Sequence, residues 1–229
     1  MRKIELTAVV LLVAFGLMLP TGVAFASDSE EQSARELTAQ WWQWVSSIPP
    51  QVNPVLDEDG KNCLVGQRGD VWFLGGNFAD APRITRACSV PEGKVLFFPV
   101  LNSSFFDSPN ACGQGPESFS VKDMRTAVAA IIDGATTLSV TLDGSPVKNI
   151  DRVRSKIFEV SLPEDNIYDA FVSCAAGVYS PGVDDGYYAR IERLSPGPHE
   201  LRIQAAVPSA NNFAVDVTYH LTVVRVVDK

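Results

Sequence analysis

Residues able to do acid–base, metal or stacking chemistry are few in this chain, and their spacing limits what they could do. His199 and His220 are the only histidines, so a serine–histidine–aspartate triad or a histidine-ligated zinc would have to use one of them. Both lie in alternating apolar–polar segments. Alternation turns His199 inward with Leu201 and Ile203, and His220 outward with Asp216, Thr218 and Thr222. On opposite faces the two imidazoles cannot share an ion unless a bulge turns one of them. They read as one core and one surface histidine. Carboxylate chemistry stays open, because glycoside cleavage needs only two acids. Asp184 and Asp185 are the nearest candidate pair, although adjacent carboxylates also decorate turns. Asp57, Asp59 and Asn62 around Gly60 offer oxygen ligands at the spacing of a small calcium loop, without the full motif's closing glutamate. A solvated turn is the preferred explanation, with a structural calcium ion as the one optional cofactor. No G-x-S-x-G, H-E-x-x-H, P-loop or G-x-G-x-x-G motif occurs.

Aromatic side chains offer a different chemistry, stacking on sugar rings while nearby polar groups hydrogen-bond the hydroxyls. Trp41 and Trp44 lie on a helical stripe with Ala34, Leu37, Val45 and Ile48 and read as core. Trp42 sits about 100° round the same helix, beside Arg35, Thr38 and Ser46, and is expected to be exposed. Tyr179, Tyr187 and Tyr188 cluster near Pro181 and Gly182, a segment that reads as a loop beside the two aspartates. Trp42, Tyr179, Tyr187 and Tyr188 are therefore the candidate ligand-binding set, with packing as the alternative. Two further signatures are weak: Arg68, Gly69 and Asp70 spell an adhesion tripeptide, and Asn102 opens an N-glycosylation sequon.

The elements that must hold these groups start with an export signal. Residues 1–26 read as a signal peptide: Arg2 and Lys3 precede an apolar run over 7–19, and Ala24, Phe25 and Ala26 fit a small-x-small cleavage site. That run is shorter than the ~20 residues of a comfortable membrane span, an uncleaved anchor being the other reading. The mature domain is then residues 27–229, exported to a periplasm or out of the cell. At 46% hydrophobic and 20% charged, the 229 residues suit a folded protein with a real core. A net charge of −8 argues against nucleic acid and anionic lipid as partners. Cys63, Cys88, Cys112 and Cys174 make an even count, which in an exported chain reads as two disulfides. The pairing Cys63–Cys88 and Cys112–Cys174 is preferred among the three possible, because Cys63 and Cys88 flank one compact apolar segment.

A polar leader over 27–36 runs into the helix, which Pro49 and Pro50 stop. Short apolar runs over 71–74, 84–90, 95–98, 137–142, 157–162, 187–194, 200–207 and 213–224 read as strands between turn residues. Residues 102–118 read as a long loop, and Ser120 with Asp123 as the N-cap of a helix through about Ile132. The fold expected is mainly β: a single β-sandwich, immunoglobulin-like or jelly-roll, with an N-terminal amphipathic helix (27–50, leader and helix) and one inserted helix.

Several segments carry a resemblance. Trp41, Trp42 and Trp44, then Asp57, Gly60, Cys63, Gly66 and Gln67, then Val71 to Gly76, and then Phe97, Phe98 and Pro99 resemble an uncharacterised family of exported prokaryotic proteins. That likeness implies export and transfers no catalytic residue. Pro196, Gly197 and His199, followed by Tyr219, His220 and Leu221, are similar to the last hairpin of immunoglobulin-like extracellular modules. Three functions are compatible with this pattern. The leading one is a non-catalytic exported protein that binds a polysaccharide or cell-envelope glycan. The alternatives are a carbohydrate-active hydrolase with a carboxylate pair, and a self-assembling envelope or matrix component.

Overall fold

The computed structural model describes residues 24–78 and 83–225, with side chains from residue 33 onward. Most of the segment 1–26, read from the sequence as a signal peptide, therefore lies outside the described residues. Helix α1 spans Ala24–Ser46. It takes in the segment expected as a polar leader, and Glu30, Glu31, Gln32, Ala34, Arg35 and Glu36 are good helix formers that explain why. Beyond its end, Asn53 donates through Nδ2 to the carbonyls of Val45 and Ile48, both at 2.8 Å, and so satisfies groups that the helix leaves unpaired.

The strands are β1 (Val71–Phe73), β2 (Ile84–Pro91), β3 (Val95–Phe106), β4 (Thr137–Leu142), β5 (Ser145–Pro146), β6 (Ile150–Arg154), β7 (Phe158–Leu162), β8 (Gly177–Ile191), β9 (Gly197–Val207) and β10 (Phe213–Val224). The inserted helix α2 (Val121–Ile132) follows β3, and its N-cap Ser120 accepts from the Asp123 amide as the sequence predicts. Two five-stranded sheets result. In the first, the order is β1-β3-β8-β6, and β7 shares with β6 the edge of β8 opposite β3; in the second it is β2-β10-β9-β4-β5. β1 runs parallel to β3 and β2 parallel to β10, while the other pairs are antiparallel. Both sheets are thus mixed, whereas immunoglobulin-like and jelly-roll sandwiches are built of antiparallel sheets.

One apolar core joins the two sheets: Phe98, Ala189 and Ile191 of the first pack in the same cluster as Ile203, Ala205, Val217 and Tyr219 of the second. The first sheet is covered on its other face too. There Trp41, Trp42 and Val45 of α1 meet Phe97, Val160 and Tyr188. Double coverage explains the unbroken apolar run of β3, whose residues from Val95 to Leu101 are all buried. Both disulfides pair as preferred, Cys63 with Cys88 and Cys112 with Cys174. Among the described residues, no helix is long and apolar enough to cross a membrane.

Three strand boundaries differ from the sequence reading, and all three bear on the site. β3 continues through Asn102, Ser103 and Ser104 into Phe106, where a loop was expected. β8 begins at Gly177, so the expected loop around Pro181 is strand. β6 was not anticipated. Finally, β1 pairs only with Val95 to Phe97 of β3. Among the described residues no strand pairs with the rest of that edge of β3.

Candidate functional site

The two adjacent aspartates sit on a central strand, so their side chains leave β8 on opposite faces. They do not converge, and a shared catalytic role for the pair is ruled out by that geometry. Asp185, 1% exposed, is held by Arg152 at 2.9 Å and Arg154 at 3.2 Å. Asp184 is fully buried beneath α1, where its Oδ1 accepts from Trp42 Nε1 at 2.8 Å and from the Tyr188 hydroxyl at 2.9 Å. Asn102 Nδ2 donates in turn to that hydroxyl at 3.1 Å. The Asp184 Oδ2 atom is buried with no hydrogen-bond partner among the described residues. Burial pushes the Asp184 carboxyl well above the usual carboxylate range, against the two donors that would lower it. Burial likewise raises the Tyr188 phenol.

The expected aromatic platform does not form. Trp42 is 5% exposed and Tyr188 2%. Trp42 is buried because the helix is enclosed beyond its apolar stripe, and its indole N–H finds Asp184 in place of water. Its neighbours solve the same problem, Trp41 donating to the Leu74 carbonyl and Trp44 to that of Val65. Tyr188 stacks on Phe97 at 5.3 Å, while Tyr187 lies on the other face under Arg152. Tyr179 packs on Phe106 and donates to the Ala175 carbonyl. The four residues serve three different places.

Where β1 stops short, a cavity of about 270 Å³ opens along the uncovered edge of β3. That volume is near the lower end for small-molecule sites. Its aromatic walls are Trp41, Trp42, Phe78, Tyr168 and Phe213, and its polar groups are Asn77, Asn102, Ser103 and Ser104. No described residue lining it carries a charge. Such a surface suits a small neutral ligand that offers both a flat C–H face and hydroxyl groups. Trp42 and Asn102 belong both to this lining and to the buried Asp184 network. Of the residues singled out in the sequence as ligand-binding, only Trp42 lines the cavity, as part of its buried wall. Asn102, Ser103 and Ser104 were read as loop; the signal for them was Asn102, Ser104 and Phe106 at every second position.

The loop that rims the cavity is pinned by Arg86, a fully buried guanidinium. It donates to the carbonyls of Val55, Asp57, Gly75 and Gly76 at 2.6–3.0 Å and to the Tyr219 hydroxyl at 2.8 Å. Tyr219 donates onward to Gly75 at 2.6 Å.

Two other constellations were tested against their geometry. Asp57 lies in a self-bonded turn: Oδ1 accepts from the amides of Asp59 and Gly60 and Oδ2 from that of Asn62. Its oxygens face backbone donors, which account for Asp57 as a turn residue without a bound ion. No group of three or more His, Cys, Asp or Glu among the described residues is placed to hold a metal ion. His199, turned inward as its parity predicts, lies 2.8 Å from Asp143 through Nδ1 and 3.3 Å from the Ser195 hydroxyl through Nε2. This has the order of a serine–histidine–aspartate triad. Yet Nε2 lies closer, 2.9 Å, to the carbonyl of Ser195, which requires a proton on that nitrogen. Hydrogen bonds to Asp143 and to that carbonyl raise the His199 pKa above its usual 6.5, and with Nε2 donating to the carbonyl the ring presents no free nitrogen to take a proton from the serine. The trio is a clamp between two turns. NMR titration is expected to place His199 above 6.5 and Asp143→Asn to move it down; an unmoved midpoint in the variant contradicts the clamp. His220 is exposed, 3.7 Å from Glu200.

No protein-family model, curated protein or solved structure matches the chain.

Proposed function

We propose that the protein is an exported binding protein whose two sheets form a β-sandwich, and that it holds a sugar unit of a neutral glycan in the cavity beside β3. The observation that carries this reading is the cavity lining, with aromatic walls, amide and hydroxyl groups, and no charge among its described residues. Aromatic rings stack on the C–H face of a sugar, and amides and hydroxyls bond its oxygens, an arrangement that needs no catalytic group. The signal-peptide pattern, two disulfides and the likeness to a family of exported prokaryotic proteins support export. The separation of Asp184 from Asp185 across the sheet weighs against the hydrolase alternative.

Affinity electrophoresis of the oxidised protein through gels containing neutral polysaccharides tests this. Retardation is expected in at least one gel, lost in Phe213→Ala and kept in Tyr187→Ala, whose ring is outside the cavity. Retardation lost in Tyr187→Ala but kept in Phe213→Ala would move the site to the second face of β8. No retardation in any gel would overturn the reading.

A further inference from the structure

A second cavity, of about 410 Å³, lies at the end of the same strand. The two are laid out in order along β3: Asn102, Ser103 and Ser104 line the first, Phe105 and Phe106 the second. Three residues of strand, from Ser103 to Phe106, span about 10 Å at ~3.3 Å per residue. Tyr168 lines both cavities and divides them. Its ring meets Phe78 on the side of the first at 5.7 Å and Phe106 on the side of the second at 5.2 Å, both edge-on.

The second cavity repeats the character of the first. Phe105, Phe106 and Phe119 supply rings, Ser108 and Gln114 are polar residues of the wall whose side chains bond within the loop, and no described lining residue is charged. Phe119 is 44% exposed, a large apolar ring left in water, and it sits against Phe105 at 5.2 Å. The loop that carries it is braced from within. Asp107 Oδ1 accepts from Gln114 Nε2 at 2.6 Å and from the Phe119 amide at 2.9 Å. Gln114 Oε1 accepts from the Ser108 amide at 2.8 Å, and Cys112 is tied to Cys174. A braced loop that holds an aromatic ring in solvent is a preformed contact surface, and it keeps the ordering cost of binding low.

We infer that the two cavities are adjoining subsites for one neutral oligosaccharide of at least two units, laid along the open edge of β3 with Tyr168 between them and Phe119 as the outer platform. The inference rests on the proposed glycan-binding role of the first cavity and adds its ligand's length and course. The absence of charge among the described lining residues disfavours uronic and phosphorylated chains as ligands. An extended peptide pairing with the same strand edge is the competing occupant, and the ring-and-amide walls favour sugar over it.

Calorimetric titration of the intact oxidised protein with gluco-, manno-, galacto-, xylo- and N-acetylglucosamine-based oligosaccharides of one to six units decides. At least one series is expected to bind, about tenfold more tightly by two or three units than by one, as one added ring contact implies. Phe119→Ala, on an exposed ring outside the core, removes that gain and leaves the single-unit affinity unchanged. A series that binds with the same affinity at every length, or a gain that survives Phe119→Ala, overturns the inference and leaves the first cavity's role standing. Binding by no series overturns both, as does binding of extended peptides in place of sugars.

Discussion

Replacing Arg86 with methionine is expected to destabilise the protein by about 4 kcal/mol. The buried carbonyls of Val55 and Asp57 lose their donor in that variant, while that of Gly75 keeps the Tyr219 hydroxyl, and each buried group left unpaired costs about 1–3 kcal/mol. In a protein of this size 1 kcal/mol is worth about 2–4 °C in melting temperature, so a fall of about 10 °C or more should appear in a thermal melt. Arg86→Lys should fall between the two, because an ammonium has three donors and cannot span the same set of acceptors. The effect extends to the site, since Val55, Gly76, Asn77 and Phe78 line the cavity and belong to the segments that Arg86 joins. Apolar replacement of buried ions is stabilising in some proteins. A methionine variant as stable as the parent would show that these carbonyls find other donors and that Arg86 does not hold the rim.

The second large effect is at Asp184 and depends on pH. Unfolded aspartate titrates near 3.9, and burial holds the folded carboxyl well above that. Over the interval between those two values the folded state keeps a proton that the unfolded chain has lost, so stability falls as pH rises through it. His199 has the same sign, its contribution being lost as pH rises through its elevated folded pKa. Asp184→Asn removes one slope and leaves the other. Its amide oxygen can still accept from Trp42 and Tyr188, so the variant should match the parent near the unfolded aspartate value and melt progressively higher than it as pH rises above that. Asp184→Leu has no acceptor for either donor and should lose about 2–6 kcal/mol at about 1–3 kcal/mol per buried group. Parallel pH curves for the parent and Asp184→Asn would show that this carboxyl titrates in its ordinary range.

What the sequence disclosed and what it hid follow from one physical fact, that a covered strand need not be apolar throughout. The apolar run Val95 to Phe98 and the alternating segment Phe213 to Val224 announce themselves as strands, and α2 is marked by its Ser120 cap. The disulfides follow from spacing and compartment. Asn102, Ser103 and Ser104, by contrast, look like loop because polar residues seldom fill buried strands. Here they face a cavity and the buried Asp184 network. Asp184, Gly186 and Pro181 look like a turn for the same reason, yet they belong to β8. Gly186 is needed there, since a Cβ would stand 2.7 Å from Asn102 Cβ and 2.8 Å from the Leu101 carbonyl oxygen. β6 carries one buried side chain, Val153, among charged neighbours and so shows too little alternation to be seen. Trp42 was misplaced because a helical stripe marks the best-covered face and is silent about a helix enclosed on more than one side.

The central claim is that the cavity beside the open edge of β3 binds a neutral sugar, and saturation-transfer difference NMR on the oxidised protein with neutral oligosaccharides tests it most directly. Ala210, in the turn before β10, lines the cavity and is only partly buried, so Ala210→Trp is expected to fill the opening. Transfer to sugar ring protons in the parent and none in Ala210→Trp is the result predicted. No transfer to any sugar, or equal transfer in the blocked variant, would contradict it.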